Sequence, residues 1–190
     1  MTARQRLVLA EASKDLREVL RAQSDNDPNV RALALGSLDR LGELSNDHLE
    51  KALADDDRDV RIRAIELSFE RDDIELVPGL SDDDDLVVET TAWALGERED
   101  ASPTTIAALV RVASEHDVSI CREAAIAALG AIGHLDGLPA ILSGLNDRAA
   151  VRRRAVLALA PFDTPEVTDA LSAALHDRDR QVRQAAEDLL

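Results

Sequence analysis

The segment DPNVRALA, Asp27–Ala34, returns 30 residues later as DRDVRIRA, Asp57–Ala64. In both copies an acid precedes Val-Arg, and an Ala follows four residues after the Val. Residues four apart lie on the same face of an α-helix, so the pattern predicts an amphipathic helix that begins near the acid. Because the pattern recurs at a fixed period, it also predicts an array of structural repeats.

Six copies of this pattern run along the 190 residues of the chain. Its key apolar position, taken as offset zero, is occupied by Val30, Val60, Val87, Cys121, Val151 and Val182. We name the helix that follows this position helix B, and the amphipathic segment before it helix A. No segment alternates with a period of two, so no strand is predicted. The predicted repeats span residues 13–42, 45–71, 74–98, 103–133, 135–161 and 164–190, in a single domain 1–190 with residues 1–12 as its N-terminal cap.

Acidic and basic residues recur at fixed places in these repeats. An acid lies in each turn between helix A and helix B, and in five repeats the residue after the key position is Arg. The acid can cap helix B, or it can accept the planar guanidinium of its own or a neighbouring repeat. We therefore predict a structural ladder along one edge of the array. Its members are Asp25, Arg31, Asp55, Arg61, Asp82, Glu115, Arg122, Asp147, Arg152, Asp177 and Arg183.

The pattern Asp-x-x-Val-Arg-x-x-Ala, intact in residues 27–34 and 57–64, resembles the motif of HEAT repeats. The short unit of about 30 residues is similar to the HEAT-like repeats of phycobilin lyase subunits, and the resemblance covers residues 13–190. It implies an all-α fold: a right-handed α-α superhelix, or solenoid, of about six two-helix repeats with the B helices on the concave side. Most members of such a family are interaction scaffolds, and a few lyase relatives attach bilins.

The composition limits the classes of partner. The chain has 38 acidic and 22 basic residues, and its net charge is −16. This charge repels phosphate backbones and anionic lipid, so neither nucleic acid nor a membrane is an expected partner. Abundant Asp with only two Lys is typical of proteins from halophilic organisms, and an ordinary acidic protein is the alternative. With no apolar run long enough for a signal peptide or a membrane span, a cytoplasmic protein is expected.

Helix B positions that point away from the core predict a partner-binding surface. Trp93, the only Trp, lies at offset six, and Trp is enriched at binding hot spots. If Val88 were the key residue of its repeat, Trp93 would move to offset five and become partly buried. Arg153 and Arg154 can meet an acidic partner, or they can pair with Glu123 of the preceding repeat. The predicted partner-binding residues are Trp93, Ile62, Phe69, Glu66, Leu157, Arg153 and Arg154.

The sequence predicts no catalytic residue, metal site or cofactor. The acidic runs 55–57 and 82–85 lack the spaced oxygens and the turn Gly of a calcium loop, and the four His residues lack zinc spacing. Cys121 takes a buried key position, which predicts a core thiol and not a nucleophile. We therefore predict a non-catalytic protein-interaction scaffold or adaptor. A phycobilin-lyase-like or cofactor-maturation factor is the alternative, and the negative charge disfavours a helical-repeat glycosylase acting on nucleic acid.

The last predicted helix reaches Leu189 and Leu190 without a polar capping helix after it. Repeat arrays usually need polar caps at their ends. Self-association through the C-terminal repeat is therefore a further expectation, and the alternative is that Glu187 and Asp188 make this edge polar enough.

Overall fold

A computed structural model describes all residues, 1–190, and its regular structure is entirely helical. The α-helices are α1 (Ala3–Ser13), α2 (Leu16–Ala22), α3 (Pro28–Leu41), α4 (Asn46–Leu53), α5 (Arg58–Glu66), α6 (Asp85–Gly96), α7 (Pro103–Glu115), α8 (Ser119–Ile132), α9 (Leu138–Gly144), α10 (Ala149–Ala158), α11 (Pro165–Ala174) and α12 (Arg180–Glu187). Two 3₁₀ helices span Val77–Ser81 and Leu135–Gly137. None of these helices combines the length and apolar character that crossing a bilayer requires. The predicted all-α fold of HEAT-like helical repeats is confirmed.

The chain divides into two compact units, Met1–Glu75 and Leu76–Leu190. In the first unit, α1 packs against α2 and α3, and α3 packs against α5. In the second unit, α6, α8, α10 and α12 pack one against the next as a layer of B helices, while α7 and α9 pack together in the A layer. The predicted single domain, its repeat bounds and the right-handed superhelix stay predictions.

Aspartate side chains begin four of the six B helices. Each accepts the backbone N–H two residues later, which satisfies a donor that the first helical turn leaves unpaired. These N-cap residues are Asp27, Asp57, Asp84 and Asp179. The key residue follows the cap by three positions in every repeat, and in α6 that residue is Val87. Trp93 therefore lies at offset six, and the alternative register based on Val88 is wrong.

The B helices of the second unit come unusually close at two glycines. A Cβ placed on Gly96 would lie 2.8 Å from the Ala128 Cα, and a Cβ placed on Gly130 would lie 2.6 Å from the Ala158 Cβ. Real Cβ atoms do not approach other atoms this closely. The absence of a side chain at these two positions therefore sets the spacing between α6 and α8 and between α8 and α10.

Apolar and charged contacts hold helix α1 against the rest of the first unit. Its buried face carries Leu7 and Ala10. Its Glu11 carboxylate accepts two hydrogen bonds of 2.7 Å from Arg40, through Nε and Nη2, and another of 2.7 Å from the Ser37 hydroxyl. The Arg40 hydrogen bonds, aided by Ser37, lower the pKa of Glu11 from 4.5 to about 2.

We expect the stability of the first unit to fall as the pH drops from about 4.5 to about 2. A carboxyl whose folded pKa is lowered stabilises the fold above its ordinary pKa, and this contribution is lost on acidification through the folded pKa. Glu11→Gln should remove this part of the pH dependence and lower stability at pH 7. Amide exchange of α1 between pH 2 and 7 measures both effects. An unchanged pH profile in Glu11→Gln would contradict the prediction.

Candidate functional site

Arg152 shows how neighbouring repeats are joined in the second unit. Its Nε and Nη2 donate to the two carboxylate oxygens of Asp177, both at 2.8 Å, and its Nη1 donates to the Asp147 carbonyl at 2.8 Å. Asp177 lies in the turn of the next repeat, and Asp147 lies in the turn of Arg152's own repeat. The side chains of Arg152 and Asp177 are only 6% and 15% exposed. The guanidinium thus connects two successive turns in a partly buried setting.

The same arrangement, which we call a rung, also joins other repeats. Arg31 binds Asp55 in the first unit at 2.8 and 2.6 Å, and Arg122 binds Asp147 in the second unit at 2.7 and 2.8 Å. The hydrogen bonds from each arginine hold the pKa of the aspartate below its ordinary value. The acid of a rung does not cap helix B, because the cap is a separate residue one or two positions later.

Arg61 and Arg183 also donate to backbone carbonyls of their own turns, as Arg152 does. Arg61 Nη1 donates to the Asp55 carbonyl at 2.9 Å, and Arg183 Nη1 donates to the Asp177 carbonyl at 2.7 Å. The predicted acids Asp25 and Asp82 each accept the backbone N–H two residues later. These carboxylates therefore order the turn that leads into helix B.

In the fourth repeat the structure places His116, not Glu115, at the position of the ladder acid. His116 Nδ1 accepts the Val118 N–H at 3.2 Å, and its carbonyl accepts Arg122 Nη1 at 2.7 Å, as the ladder aspartates do elsewhere. The prediction of Glu115 is corrected, since this residue is the exposed end of α7. The preceding repeat carries Val88 where the others carry Arg, so this junction has neither member of a rung.

His116 lies beside Asp85 and Cys121, the one group of side chains whose ligand atoms could surround a metal ion. His116 Nε2 is 3.9 Å from Asp85 Oδ1, and the Cys121 Sγ donates to the Asp85 carbonyl at 3.4 Å. Burial raises the pKa of the Cys121 thiol to about 11. Because Nδ1 accepts a hydrogen bond, a neutral His116 carries its proton on Nε2. For a metal to bind at Nε2, either the proton must move to Nδ1, which breaks the hydrogen bond from Val118, or the Nε2 proton must be lost altogether.

The predicted partner-binding residues of the second unit lie on the B helices. Trp93 is 44% exposed on α6, and Leu157 is half-buried on α10. Arg154 forms an ion pair with Glu123 at 3.6 Å, whereas Arg153 is exposed. The expected pairing with Glu123 therefore involves Arg154, and exposed pairs of this kind contribute little to stability.

An open groove of about 500 Å³, which we call the α8–α10 groove, brings two of these residues together. Leu157 and Arg154 line it with a floor of small and apolar side chains. The other lining residues are Ala127, Gly130, Ala131, Ala158, Ala160 and Pro161. The sequence analysis did not assign these small residues to a binding surface. The signal for the close approach of the two helices is the pair Gly130 and Ala158, near the ends of successive B helices.

The stacked B helices and their rungs repeat the same geometry from α8 to the end of the chain. Residues 121–190 match the family model for HEAT repeats. A comparison with curated proteins gave no match. HEAT repeats generally serve as protein-interaction scaffolds. The matched HEAT segment includes every residue that lines the α8–α10 groove.

The HEAT-like pairs of the first unit carry the remaining predicted partner-binding residues. Ile62 and Phe69 are half-buried, and Glu66 is exposed. Glu66 accepts a hydrogen bond of 3.0 Å from Arg63, one turn earlier on the same helix. The partner-binding role of these residues, and of those in the second unit, stays a prediction.

Proposed function

We propose that this protein is a non-catalytic protein-interaction scaffold of the cytoplasm that binds its partner through the exposed surface of its B helices. The observation that carries the proposal is the α8–α10 groove, with Trp93 exposed on the adjoining helix α6. HEAT repeats typically mediate protein interactions, which supports the same class of function.

The composition of this surface suits a protein partner. Binding hot spots combine aromatic or arginine side chains with a desolvated apolar surround. Trp93 and Arg154 supply the first, and Leu157 with the small residues of the groove supplies the second. A short apolar side chain of a partner can contact the groove floor while its polar neighbours meet Arg153 and Arg154. Because the rest of the chain is acidic, it would repel an acidic partner whose contact surface extended well beyond the groove.

The alternative, a phycobilin-lyase-like or cofactor-maturation factor, receives less support. A large conjugated ligand favours an apolar pocket with aromatic walls. The α8–α10 groove has no aromatic side chain in its lining, and Phe162 is only 7% exposed in the core. Cys121, which could otherwise form a thioether, is buried with a raised pKa. The test is to add a bilin to the purified protein and record its visible absorption band. A band that does not shift would agree with the scaffold proposal.

We expect Trp93→Ala to weaken capture of the native partner by about 30-fold, since truncating a hot-spot residue costs about 2 kcal/mol or more. A photo-crosslinking amino acid at Ala131, on the groove, identifies that partner directly in lysate of the native host. The affinity of the purified partner for the wild type and for Trp93→Ala is then measured by calorimetry. Circular dichroism first establishes that both proteins are equally helical.

Leu135→Ala is the matched control, because Leu135 is 62% exposed on the 3₁₀ helix between α8 and α9 and is not one of the residues that line the groove. Its affinity should equal that of the wild type. Equal losses for both variants would show a general effect of surface hydrophobicity and contradict the proposed surface. A crosslink at Leu135 but none at Ala131 would also contradict it.

Self-association through the C-terminal repeat belongs to the same proposal. Leu190 is 63% exposed beyond α12. Sedimentation velocity of the wild type and of Leu190→Asp tests this contact. A dimer that survives the substitution would place the contact elsewhere.

A further inference from the structure

A second groove lies in the first unit and is lined by basic side chains, although the chain as a whole is acidic. It has a volume of about 300 Å³, and three arginines line it: Arg4, Arg40 and Arg63. Asn29 and the half-buried Ala32 and Leu33 complete its walls. Three guanidinium groups around one small groove are notable in a protein whose net charge is −16. We call it the arginine groove.

Gly36 on α3 forms the floor of the arginine groove. A Cβ placed on Gly36 would lie 3.0 Å from Arg63 Nη2 and 3.2 Å from Arg40 Nη1. The two guanidinium groups, one on α3 and one on α5, therefore converge over the same backbone position. Like charges repel, so their convergence is favourable only where negative charge compensates them.

Each of the two converging arginines already has one carboxylate on its outer side. Glu11 accepts from Nε and Nη2 of Arg40, and Glu66 accepts from Nη1 of Arg63. The nitrogens over Gly36, Arg40 Nη1 and Arg63 Nη2, are not the ones used in these bonds. Arg4 adds an exposed guanidinium at the same groove. Asp39, beside Arg40 on α3, is a further acidic neighbour. The groove is therefore distinguished by its guanidinium donors over Gly36, and not by a large excess of positive charge.

We propose that the arginine groove binds one carboxylate side chain from a segment of the partner protein whose neighbouring side chains are uncharged. This inference rests on the proposed scaffold function and adds the chemistry of the partner. A carboxylate can accept charge-assisted hydrogen bonds from both guanidinium groups, and such bonds are stronger than those between neutral groups. The apolar walls formed by Ala32 and Leu33 contact the methylene stem of the incoming side chain.

The charges favour a single carboxylate over a polyanion. A phosphate chain brings many negative charges and would meet the repulsion of the acidic surface beyond the groove. A protein segment can present one carboxylate among neutral neighbours. The groove volume of about 300 Å³ also accommodates a side chain more readily than an extended phosphate backbone.

The test follows the arginine Nε–H resonances of ¹⁵N-labelled protein during titration with the peptide acetyl-Ala-Leu-Glu-Leu-Ala-amide. At about 0.05 M salt the Debye length exceeds about 10 Å, so the attraction is little screened. We expect the Arg40 and Arg63 resonances to shift, and the same peptide with Gln in place of Glu to leave them unmoved. Arg63→Gln should weaken binding about 10-fold, as loss of one charge-assisted hydrogen bond does. Arg180→Gln, on the exposed start of α12, makes the same charge change outside the groove and should bind as the wild type.

A second variant fills the groove from within. Gly36→Glu places a carboxylate beside both guanidinium groups and should abolish the peptide-induced shifts while the protein stays folded. Gly36→Ala adds a Cβ without a charge, so it separates the effect of the carboxylate from that of crowding. Equal peptide binding by Gly36→Glu and Gly36→Ala would overturn the proposal.

Two further outcomes separate this inference from the scaffold proposal. Inorganic phosphate that binds more tightly than the peptide would overturn the assignment to a carboxylate. A partner that binds Arg63→Gln and Arg4→Gln as tightly as the wild type, but is lost with Trp93→Ala, would overturn the arginine groove and leave the scaffold. Peptide shifts at Arg40 and Arg63 with no partner found by crosslinking would support the groove and count against the scaffold.

Discussion

We expect Asp177→Ala to lower the free energy of unfolding of residues 76–190 by about 3 kcal/mol, because it leaves a buried guanidinium without its charge partner. Arg152 is 6% exposed and loses two hydrogen bonds of 2.8 Å in this variant. Asp177 also accepts the Asp179 N–H at 2.7 Å, so the turn before α12 loses an acceptor. Both losses act on the junction between α10 and α12.

Urea unfolding followed by Trp93 fluorescence measures this effect, because the only Trp of the chain reports on the second unit. Asp169→Ala, on the exposed side of α11, makes the same charge change without breaking a rung. Its effect should stay within about 0.5 kcal/mol, as for most surface substitutions. Equal effects of the two variants would mean that the rung adds nothing beyond its surface charge. Arg152→Leu combined with Asp177→Leu should recover much of the loss, since an apolar pair can replace a buried ion pair.

Gly130→Val should be at least as damaging, with an expected loss of about 3 kcal/mol, at the upper end of the usual cost of overpacking. A Cβ at Gly130 would lie 2.6 Å from the Ala158 Cβ and 2.7 Å from the Ala158 Cα. The Ala158 atoms belong to a short side chain and to backbone, so α8 and α10 must separate to relieve the contact. The separation also widens the α8–α10 groove, whose lining includes both residues.

Ala131→Val is the matched control for Gly130→Val. Ala131 is the next residue on α8 and is exposed, so the variant has the cost of a β-branched residue in a helix without the steric clash. We expect a loss below about 1 kcal/mol, in line with helix propensities. Thermal unfolding by circular dichroism compares the two variants. A Gly130→Val protein as stable as Ala131→Val would contradict the close approach.

The sequence predicted the helical repeats well because each repeat carries its own local signals. All six key residues are fully buried, and Asp27, Asp57, Asp84 and Asp179 cap the following helix as turn chemistry requires. The third repeat departs from its neighbours, since its A segment is the five-residue 3₁₀ helix Val77–Ser81. Helical periodicity alone does not distinguish so short a segment from an α-helix.

The parts that sequence reasoning missed depend on contacts between repeats. Glu115 is the last residue of α7, and the ladder position six residues before Arg122 is taken by His116. Choosing the nearest acid in the sequence therefore selected the wrong residue. The arginine groove joins Arg4, Arg40 and Arg63 from three different helices. No spacing within one repeat relates these residues, so only their packing around Gly36 reveals the groove.

The junction without a rung, where Val88 faces the repeat of His116, gives the second unit an unequal response to acid. Protonation removes the carboxylates that couple α8 to α10 and α10 to α12, whereas the packing of α6 on α8 does not depend on them. In an array whose stability is a sum of nearest-neighbour couplings, only the later couplings are then weakened. Amide hydrogens of α10 and α12 should therefore exchange first at low pH, while α6 and α8 remain as a residual cooperative block.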